Sequence, residues 1–216
     1  MSVALPNGVT LALATTYVAA DTVSAVTNAN PAVATTSAAH GVTTGAFIEV
    51  TSGWSRVNNR IFRAASASGS SLAYEGLDTT STVTFPAGTG IGSFREISAW
   101  TQIAQILELQ SSGGEMGFVT YSFLEQDFES QLPTQASPMA IALTIADDAT
   151  LAGYIALKAA ATSRALTGLK ATLPSGSLIL YNGYISLNET PTMTKNQLMG
   201  VRATFSLQGP PVRYAS

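Results

Sequence analysis

The stretch SLILYNGYISLNETPTMTKNQLMGVRATFSLQG, residues 177–209, alternates apolar and polar side chains with the period of two that is typical of β-strands. It contains three charged residues, no His and no Cys, so it offers no obvious catalytic or metal-binding group. Its last part predicts a strand with an apolar core face and a polar outer face. The core face is formed by Val201, Ala203, Phe205 and Leu207, and the outer face by Arg202, Thr204, Ser206 and Gln208.

The whole chain, of 216 residues, has an unusual balance of charge. Hydrophobic residues make up 46%, enough for a sizeable core, but charged residues make up only 11%, against roughly 25% in ordinary soluble domains. A surface with so few charges is often covered by partners. The net charge of -3 and the pI of about 5.0 give no basic field that attracts nucleic acid, so we expect no sequence-specific DNA or RNA binding.

The absence of Cys excludes disulfides, thiolate chemistry and the usual zinc sites. The apolar stretch at residues 1–20 is similar to a secretion signal but lacks a basic n-region, because the first Lys or Arg is Arg56. No apolar run approaches the roughly 20 residues that span a bilayer, and the best is MAIALTIA at residues 139–146. We therefore expect a soluble chain without a targeting or membrane segment.

Turn signals recur at intervals of roughly ten residues, which predicts a mainly β fold. A shift to Ala, Thr, Ser, Asn and Gly near residue 23 predicts a domain boundary. Residues 1–24 and 93–216 then form one β domain, and residues 25–92 form a small inserted β-module. The strand candidates of the module are PAVATTSA (31–38), FIEVTS (47–52), RIFRAASA (60–67), SLAYEG (71–76) and STVTF (81–85).

The main domain contains one ambiguous segment and one long excursion. Residues 97–110, ISAWTQIAQILELQ, suit either a helix or a strand, and the absence of a clear cap favours a strand. Residues 113–138 form an excursion rich in aromatic and acidic side chains. The strand that follows is predicted to line the core with Met139, Ile141, Leu143 and Ile145.

A single α-helix is predicted at about residues 148–161. Asp147 or Asp148 is its predicted N-cap. The helical spacing is carried by Leu151, Tyr154, Ile155 and Lys158.

The residues that could carry chemistry are isolated. His40 has no acid and no special nucleophile in its immediate sequence, so we interpret it as a structural or turn histidine rather than a base or metal ligand. The alternating carboxylates Glu125, Asp127 and Glu129 would share one face of a strand and could bind Ca²⁺. Because the segment lacks the scaffold of a calcium loop, a solvated or interfacial acidic face is favoured.

Two further patterns have ordinary explanations. The segment GTGIGSF, residues 88–94, is similar in outline to a phosphate-binding loop but lacks the following helix and Lys, so a flexible connector is favoured. Trp54 and Trp100 could stack on sugars, although isolated tryptophans more often anchor cores or interfaces. We therefore predict no catalytic residue, no metal and no cofactor, and we do not expect an enzyme.

The C-terminal half resembles the closing section of the tail tube proteins, or major tail proteins, of long-tailed bacteriophages over about residues 94–213. The resemblance rests on the helix after Asp148 and on the segments LTGLKATLP (166–174), LILYNGYISLNETP (178–191) and MGVRATFSLQGPP (199–211). The family pattern is matched by Tyr181, Gly183, Tyr184, Ile185 and the pair Gly209-Pro210. The segments HGVTTG (40–45), FIEVTSG, VNNRIF and LAYEG resemble a small β-module inserted in phage tail structural proteins.

The resemblance implies a tail-tube-type β-sandwich or barrel subunit. In that family six copies form a ring whose inner strands join into one continuous β-barrel, and stacked rings form the conduit for genome ejection. The implied partners are further copies stacked head to tail and the terminator, tape measure and tail tip proteins. Phage DNA would pass through the lumen without sequence-specific binding. The implied location is the virion tail, after assembly in the host bacterial cytoplasm and without a membrane.

Two sets of site residues follow from the resemblance. The excursion corresponds to the loop that reaches the neighbouring ring, with the predicted stacking residues Phe118, Tyr121, Phe123, Leu124, Glu125, Asp127, Phe128, Glu129 and Leu132. The predicted lumen-facing residues are Lys170, Thr172, Arg202, Thr204, Ser206 and Gln208.

Charge is distributed unevenly along the chain. Net charges of 0, -8 and +5 fall in residues 1–95, 96–157 and 158–216. This asymmetry favours rings that stack with an acidic face against a basic face, where the acids of the excursion meet bases such as Lys195 or Arg213.

We expect the inserted module to lie on the outer side of the tube and to be dispensable for tube formation. The alternative function is a virion or cell-surface β-sandwich module that binds carbohydrate through Trp54, Trp100 or Tyr74. Size measurement separates the two functions, because a tube subunit forms rings or filaments and a binding module stays small.

Overall fold

In a computed structural model that describes residues 7–215, the chain is mainly β, as predicted, with 52% strand and 6% helix. The strands are β1 (Thr10–Tyr17), β2 (Asp21–Val26), β3 (Ala32–Thr36), β4 (Phe47–Ser52), β5 (Arg60–Ser68), β6 (Ser71–Tyr74), β7 (Gly92–Ile103), β8 (Ile106–Ser112), β9 (Met116–Tyr121), β10 (Ser130–Ala136), β11 (Ala140–Ala146), β12 (Thr167–Thr172), β13 (Leu178–Thr192), β14 (Gly200–Leu207) and β15 (Val212–Tyr214). One helix, α1 (Ala152–Ser163), lies in this part of the chain. No helix within residues 7–215 has the length and apolar character needed to span a bilayer. The first six residues of the signal-like stretch 1–20 lie outside the described residues.

A closed six-stranded barrel occupies the first part of the chain. Its strands follow the order β2-β3-β6-β5-β4-β7, each pair is antiparallel, and β7 pairs back with β2 to close it. Its interior is filled by fully buried side chains such as Ile48, Leu72 and Phe94. The barrel starts at Asp21 and ends in the first half of β7, so it is slightly larger than the module predicted at 25–92.

One strand prediction in this barrel is wrong. Residues 81–85 form a turn in which the N–H groups of Thr84 and Phe85 donate to the Ser81 carbonyl O at 3.2 and 2.9 Å. The Phe85 side chain is buried in the barrel core, with its ring centroid 5.2 Å from that of Trp54. Phe85 therefore reaches the core from a turn rather than from a strand, and Val83 of the same segment is exposed.

The remaining long strands form a β-sandwich of two sheets. The barrel-side sheet contains the second half of β7, β1, β12 and the first half of β13, and the polar sheet contains the second half of β13, β14, β11 and β8. Strand β13 belongs to both sheets, because residues 178–183 pair with β12 and residues 183–192 pair with β14. At the change of partner, a Cβ on Gly183 would lie 2.2 Å from the Ser206 carbonyl O, so the close approach of the two strands requires glycine.

The core between the two sheets is apolar. Leu13 and Leu169 lie opposite each other in the barrel-side sheet, and both are buried. In the polar sheet Phe205 is buried beside Ile185, and Leu157 of α1 packs into the same cluster. The apolar faces predicted for residues 139–145 and 201–207 are therefore confirmed.

The helix begins later than predicted and without the predicted cap. Leu151 is the N-cap, and its side chain makes no capping hydrogen bond. Asp148 closes a local turn instead, because its Oδ1 accepts from the backbone N–H and the hydroxyl of Thr150 at 3.0 and 2.6 Å. Such local bonding competes with capping. The prediction that Asp147 or Asp148 caps the helix is therefore wrong.

The barrel packs on the outer face of the barrel-side sheet, and the two units share a core. Leu180, Val212 and Tyr214, from β13 and β15, are buried in the hydrophobic cluster of the barrel. The Tyr214 hydroxyl accepts from the Arg63 backbone N–H at 2.8 Å and donates to the Glu75 carbonyl O at 3.2 Å. The C-terminal strands therefore complete the packing of the barrel.

A buried carboxylate lies in the same junction. Glu49 is 5% exposed, and the Arg95 guanidinium donates to its two carboxylate oxygens at 2.9 and 3.1 Å. Arg95 also lies over the Tyr17 ring, 3.9 Å from its centroid, and the Tyr17 hydroxyl accepts from the Gly168 N–H at 2.9 Å. Burial raises the pKa of Glu49 although Arg95 opposes this shift, and burial also raises the pKa of Tyr17 to about 12.

Candidate functional site: the polar sheet and the apolar hairpin

The outer face of the polar sheet is open and carries mostly small polar side chains. Its central strand β14 presents Thr204, which lies opposite Ser186 of β13 on one side and Ala142 of β11 on the other. The same register extends to β8, where Gln110 lies opposite Ala142. The full face consists of Tyr184, Ser186, Asn188, Arg202, Thr204, Ser206, Ala140, Ala142, Thr144, Glu108, Gln110 and Ser112. None of these twelve side chains is buried.

The charges on this face balance. It contains one base, Arg202, and one acid, Glu108. Both residues lie opposite Thr144, one on each side of β11. The face therefore has no net charge and no concentrated field of either sign.

The structure separates the residues that were predicted to line one lumen. Arg202, Thr204 and Ser206 lie on the open face of β14, and Gln208 is exposed just beyond its end. Lys170 and Thr172 lie on β12 in the other sheet. They point away from the core of the sandwich, because Leu169 and Ala171 alternate with them and face that core.

Lys170 faces the barrel. Its Nζ lies 4.6 Å from the ring centroid of Trp100 and 5.0 Å from that of Phe47, and burial lowers its pKa. Because the two sheets enclose the core between them, the Lys170 side and the Arg202 side are opposite outer faces of the sandwich. Lys170 and Thr172 therefore lie on a different outer face of the sandwich from Arg202, Thr204 and Ser206.

Both lateral edges of the polar sheet are unpaired within residues 7–215. Strand β8 pairs only with β11, and residues 184–192 of β13 pair only with β14. All neighbouring strands of this sheet are antiparallel, so β8 and the second half of β13 run in opposite directions. An unpaired edge presents a row of N–H and C=O groups to any compatible strand.

The inner face of β8 is also uncovered. Leu109 lies opposite the buried Leu143 and therefore points to the core side, yet it is 45% exposed. Leu107, which lies at an irregularity in the β8–β11 pairing, is also 46% exposed. An apolar groove runs beside these two side chains and is lined on its far side by residues such as Ala171 and Tyr181. The core of the sandwich is thus open along this edge.

The excursion at residues 113–138 is a two-stranded hairpin of β9 and β10, which we call the hairpin, with its tip at residues 122–129. All nine predicted stacking residues lie in it, and all are exposed. Leu124 is 107% exposed, Phe128 75%, Phe118 59% and Phe123 57%.

Both faces of the hairpin are apolar. By register, Met116 and Phe118 lie on one face, and Val119, Tyr121 and Leu132 lie on the other. A two-stranded hairpin is at best marginally stable in water, and a large exposed apolar patch marks an interaction surface. Both faces of the hairpin therefore have the character of an interaction surface.

Sequence reasoning missed a second apolar patch in the β13–β14 link, which we call the methionine loop, residues 193–199. Met193 and Leu198 are each 74% exposed, and Met199 is 48% exposed. The available signal was the set of large apolar residues within a polar link, TMTKNQLM.

The candidate chemical residues have structural roles. His40 is 8% exposed, its Nδ1 accepts from the Val42 N–H at 3.0 Å, and its Nε2 lies 3.1 Å from the Ser71 carbonyl O. Both ring nitrogens are therefore used by the backbone, which confirms a structural histidine. No group of three or more acidic or His side chains within residues 7–215 is arranged to hold a metal ion.

Two of the three aromatic residues proposed for sugar stacking, Trp54 and Tyr74, are buried. Trp54 is 3% exposed and its Nε1–H donates to Pro86 O and Thr89 Oγ1 at 3.0 and 2.9 Å. A Cβ on Gly90 would lie 2.8 Å from the Trp54 ring, so the glycine-rich segment packs on this indole. Tyr74 is 1% exposed, and Trp100 is half-buried against Lys170. Two of the three residues on which the carbohydrate-binding alternative depended are therefore inaccessible.

The open sheet, its free edges and the apolar hairpin point to a protein that assembles. The sequence model of a family described as phage tail tube protein, TTP, matches residues 52–216. The chain belongs to the phage tail tube protein family. The match includes the whole sandwich and begins inside the barrel, within the segment that was predicted as an insert. No curated protein sequence matches the chain. Membership of this tail tube family implies a structural role in the virion tail together with other tail proteins.

Proposed function

We propose that this tail tube protein forms rings by pairing β8 of one copy with residues 184–192 of β13 in the next copy, and that the polar sheet lines the channel. One observation carries the proposal: within residues 7–215 the polar sheet has two unpaired edge strands that run in opposite directions. Rotation about a ring axis keeps strand direction, so the joined edges are antiparallel. Every copy then contributes four strands and the alternation continues around the ring.

The two faces of the joined sheet also agree between copies. The polar outer faces form one surface, and the exposed inner residue Leu109 lies beside the inner-face Leu187 of the neighbouring β13. Ring closure therefore buries apolar side chains and pairs backbone groups that are otherwise aggregation-prone.

The size of the ring follows from the family resemblance, which implies six copies. Four strands from each copy give a barrel of roughly 24 strands. With strands about 4.8 Å apart and tilted by about 40°, its backbone diameter is roughly 45–50 Å. Barrels of 16–18 strands already leave an aqueous channel. A barrel of this size therefore suits a conduit for genome ejection.

With the polar sheet facing the channel, the barrel lies on the outer side of the tube and the lumen is neutral. The barrel packs on the sheet that lies behind the polar sheet, so it falls on the outer side of the tube. Arg202 and Glu108 leave the channel face without net charge, so passing DNA meets neither strong attraction nor strong repulsion.

Stacking and tail assembly complete the proposal. The exposed hairpin reaches the neighbouring ring, and the stacked rings grow head to tail as a helical assembly. The terminator, tape measure and tail tip proteins are the partners at its ends and in its lumen, and assembly takes place in the host cytoplasm.

The test uses the purified full-length chain. Negative-stain images and mass measurement should show rings and tubes. Leu109→Lys should leave a folded monomer, because Leu109 is 45% exposed there, but should abolish rings, because ring closure buries this position. The matched variant Gln110→Lys places the same charge on the channel face and should still form rings. Rings of Leu109→Lys in wild-type yield would overturn the edge pairing, and a wild-type chain that stays monomeric would overturn the proposed function itself.

A further inference from the structure

The hairpin and the methionine loop lie at opposite ends of the polar sheet. The hairpin leaves the sheet after Ser112 and returns at Ala140, and these two residues are paired in the register. The methionine loop joins Thr192 to Gly200, which are paired at the other end beside Ala146. If the polar sheet lines a channel, one patch therefore faces out of one mouth and the other patch faces out of the opposite mouth.

We propose that the methionine loop of one copy is the surface that receives the hairpin tip of a copy in the adjacent ring. This inference rests on the proposed function and identifies the partner surface of the stacking contact. The contact is heterologous, because two different surfaces of the same chain meet. A heterologous contact along the axis does not close, so it propagates from ring to ring.

The apolar residues of the two surfaces complement each other. The tip presents Phe123, Leu124 and Phe128, whose side chains are 57%, 107% and 75% exposed. The loop presents Met193 and Leu198, each 74% exposed. Unbranched methionine side chains adapt their shape to aromatic partners and make favourable sulfur contacts with them. The apolar side chains of the tip and of the methionine loop can therefore bury each other.

The charges specify the same pairing. The tip contains Glu125, Asp127 and Glu129 and no base, whereas the loop contains Lys195 and no acid. Glu189 precedes the loop near the end of β13. Its carboxylate already accepts a hydrogen bond from Lys158 Nζ at 2.7 Å.

One acid borders the loop from the other side. The backbone N–H of Asp147 donates to the Met199 carbonyl O at 3.0 Å, so this acidic residue adjoins the end of the loop. The electrostatic attraction therefore depends on Lys195 itself rather than on a broad basic field. Apolar burial supplies most of the contact, and Lys195 selects the orientation.

Cross-linking in assembled tubes tests the pairing, and the absence of native Cys makes it clean. Chains that carry Leu124→Cys together with Met193→Cys, Lys195→Cys or Leu198→Cys are assembled and treated with a short bismaleimide. At least one combination should give a ladder of covalent multimers on a denaturing gel. The matched control combines Leu124→Cys with Val83→Cys, because Val83 is 93% exposed but belongs to the barrel. It should give no ladder.

A charge exchange provides a second measurement. Lys195→Glu should slow tube elongation severalfold at low salt, whereas Lys195→Gln should slow it less. Adding Glu125→Lys to Lys195→Glu should restore most of the rate. Normal tubes without a ladder in any of the three combinations, or a ladder of equal strength in the control, would overturn this inference and leave the proposed function intact. A wild-type chain that forms no tubes would instead overturn the proposed function.

Discussion

The two faces of β14 give the sharpest test of how the sandwich is built. Phe205 is 5% exposed and lies in register between Ile141 and Ile185 on the core face. Its neighbour Thr204 is half-buried on the outer face. Shortening both side chains to alanine removes a packed ring at one position and a small polar group at the next. Adjacent residues should therefore differ strongly in their effect on stability.

The expected difference can be estimated. A buried Phe→Ala substitution costs about 3–5 kcal/mol, from lost transfer energy and the remaining cavity. In a protein of this size 1 kcal/mol shifts Tm by roughly 2–4 °C, so Phe205→Ala should lower Tm by roughly 6–20 °C. A substitution away from the core usually changes stability by less than about 0.5 kcal/mol, so Thr204→Ala should move Tm by no more than about 2 °C.

Thermal unfolding followed by circular dichroism measures both variants, at a protein concentration that keeps the chain monomeric. The aspartate pair sharpens the comparison. Phe205→Asp also buries a charge in the core, and the combined cost reaches the total stability of about 5–15 kcal/mol, so this variant should not fold. Thr204→Asp should fold. If the Thr204 variants are the more unstable ones, the strand presents the opposite face to the core and the proposed channel face is refuted.

Four further predictions follow from the same structure. In assembled tubes, Thr204→Cys should react with a small thiol reagent but only slowly with one too bulky to enter the bore, and rapid labelling by the bulky reagent would reject the channel assignment. Tyr214→Phe removes a buried hydroxyl with two backbone hydrogen bonds and should destabilise the chain by about 1–3 kcal/mol in urea unfolding, where an unchanged midpoint would contradict the shared core. The pKa of Glu49 is raised in the folded state, so its contribution to stability falls as pH rises through that pKa. When the pH is lowered from 7 to about 4, the wild type should therefore gain stability relative to Glu49→Gln. A stability difference between the two proteins that does not change with pH would contradict the raised pKa. Replacing residues 25–92 by a short Gly/Ser link should reduce folded yield strongly, because it uncovers apolar side chains of the sandwich that are buried in the barrel, and normal yield would support the expectation that the module is dispensable.

Alternation alone was enough to predict several elements. The period of two at residues 201–207 identifies which side chains of β14 are buried, because a one-residue slip would turn Phe205 to the solvent. The same reasoning gave the core strand β11 and the bounds of β4.

The errors share a physical cause, which is that local pattern does not say what packs against a face. Residues 81–85 alternate like a strand, but they form a turn from which the Phe85 side chain packs into the barrel core. On β12 the alternation correctly separates Lys170 from Leu169, yet it cannot show that the barrel covers the Lys170 side. Composition likewise does not reveal that Leu180 and Tyr214 complete a core built mainly by distant strands.

The low proportion of charged residues can now be related to particular surfaces. Proteins usually protect free edges with lysines, prolines, bulges or inward-pointing charges. Strand β8 has one charged residue, Glu108, and it points to the open polar face, where it does not obstruct pairing through the edge. The inner side of the same strand carries Leu109, an apolar side chain that is 45% exposed in the monomer. An edge left without protection is a liability for a chain that works alone. In the proposed ring it is the interface, and charges there would oppose the assembly that covers it.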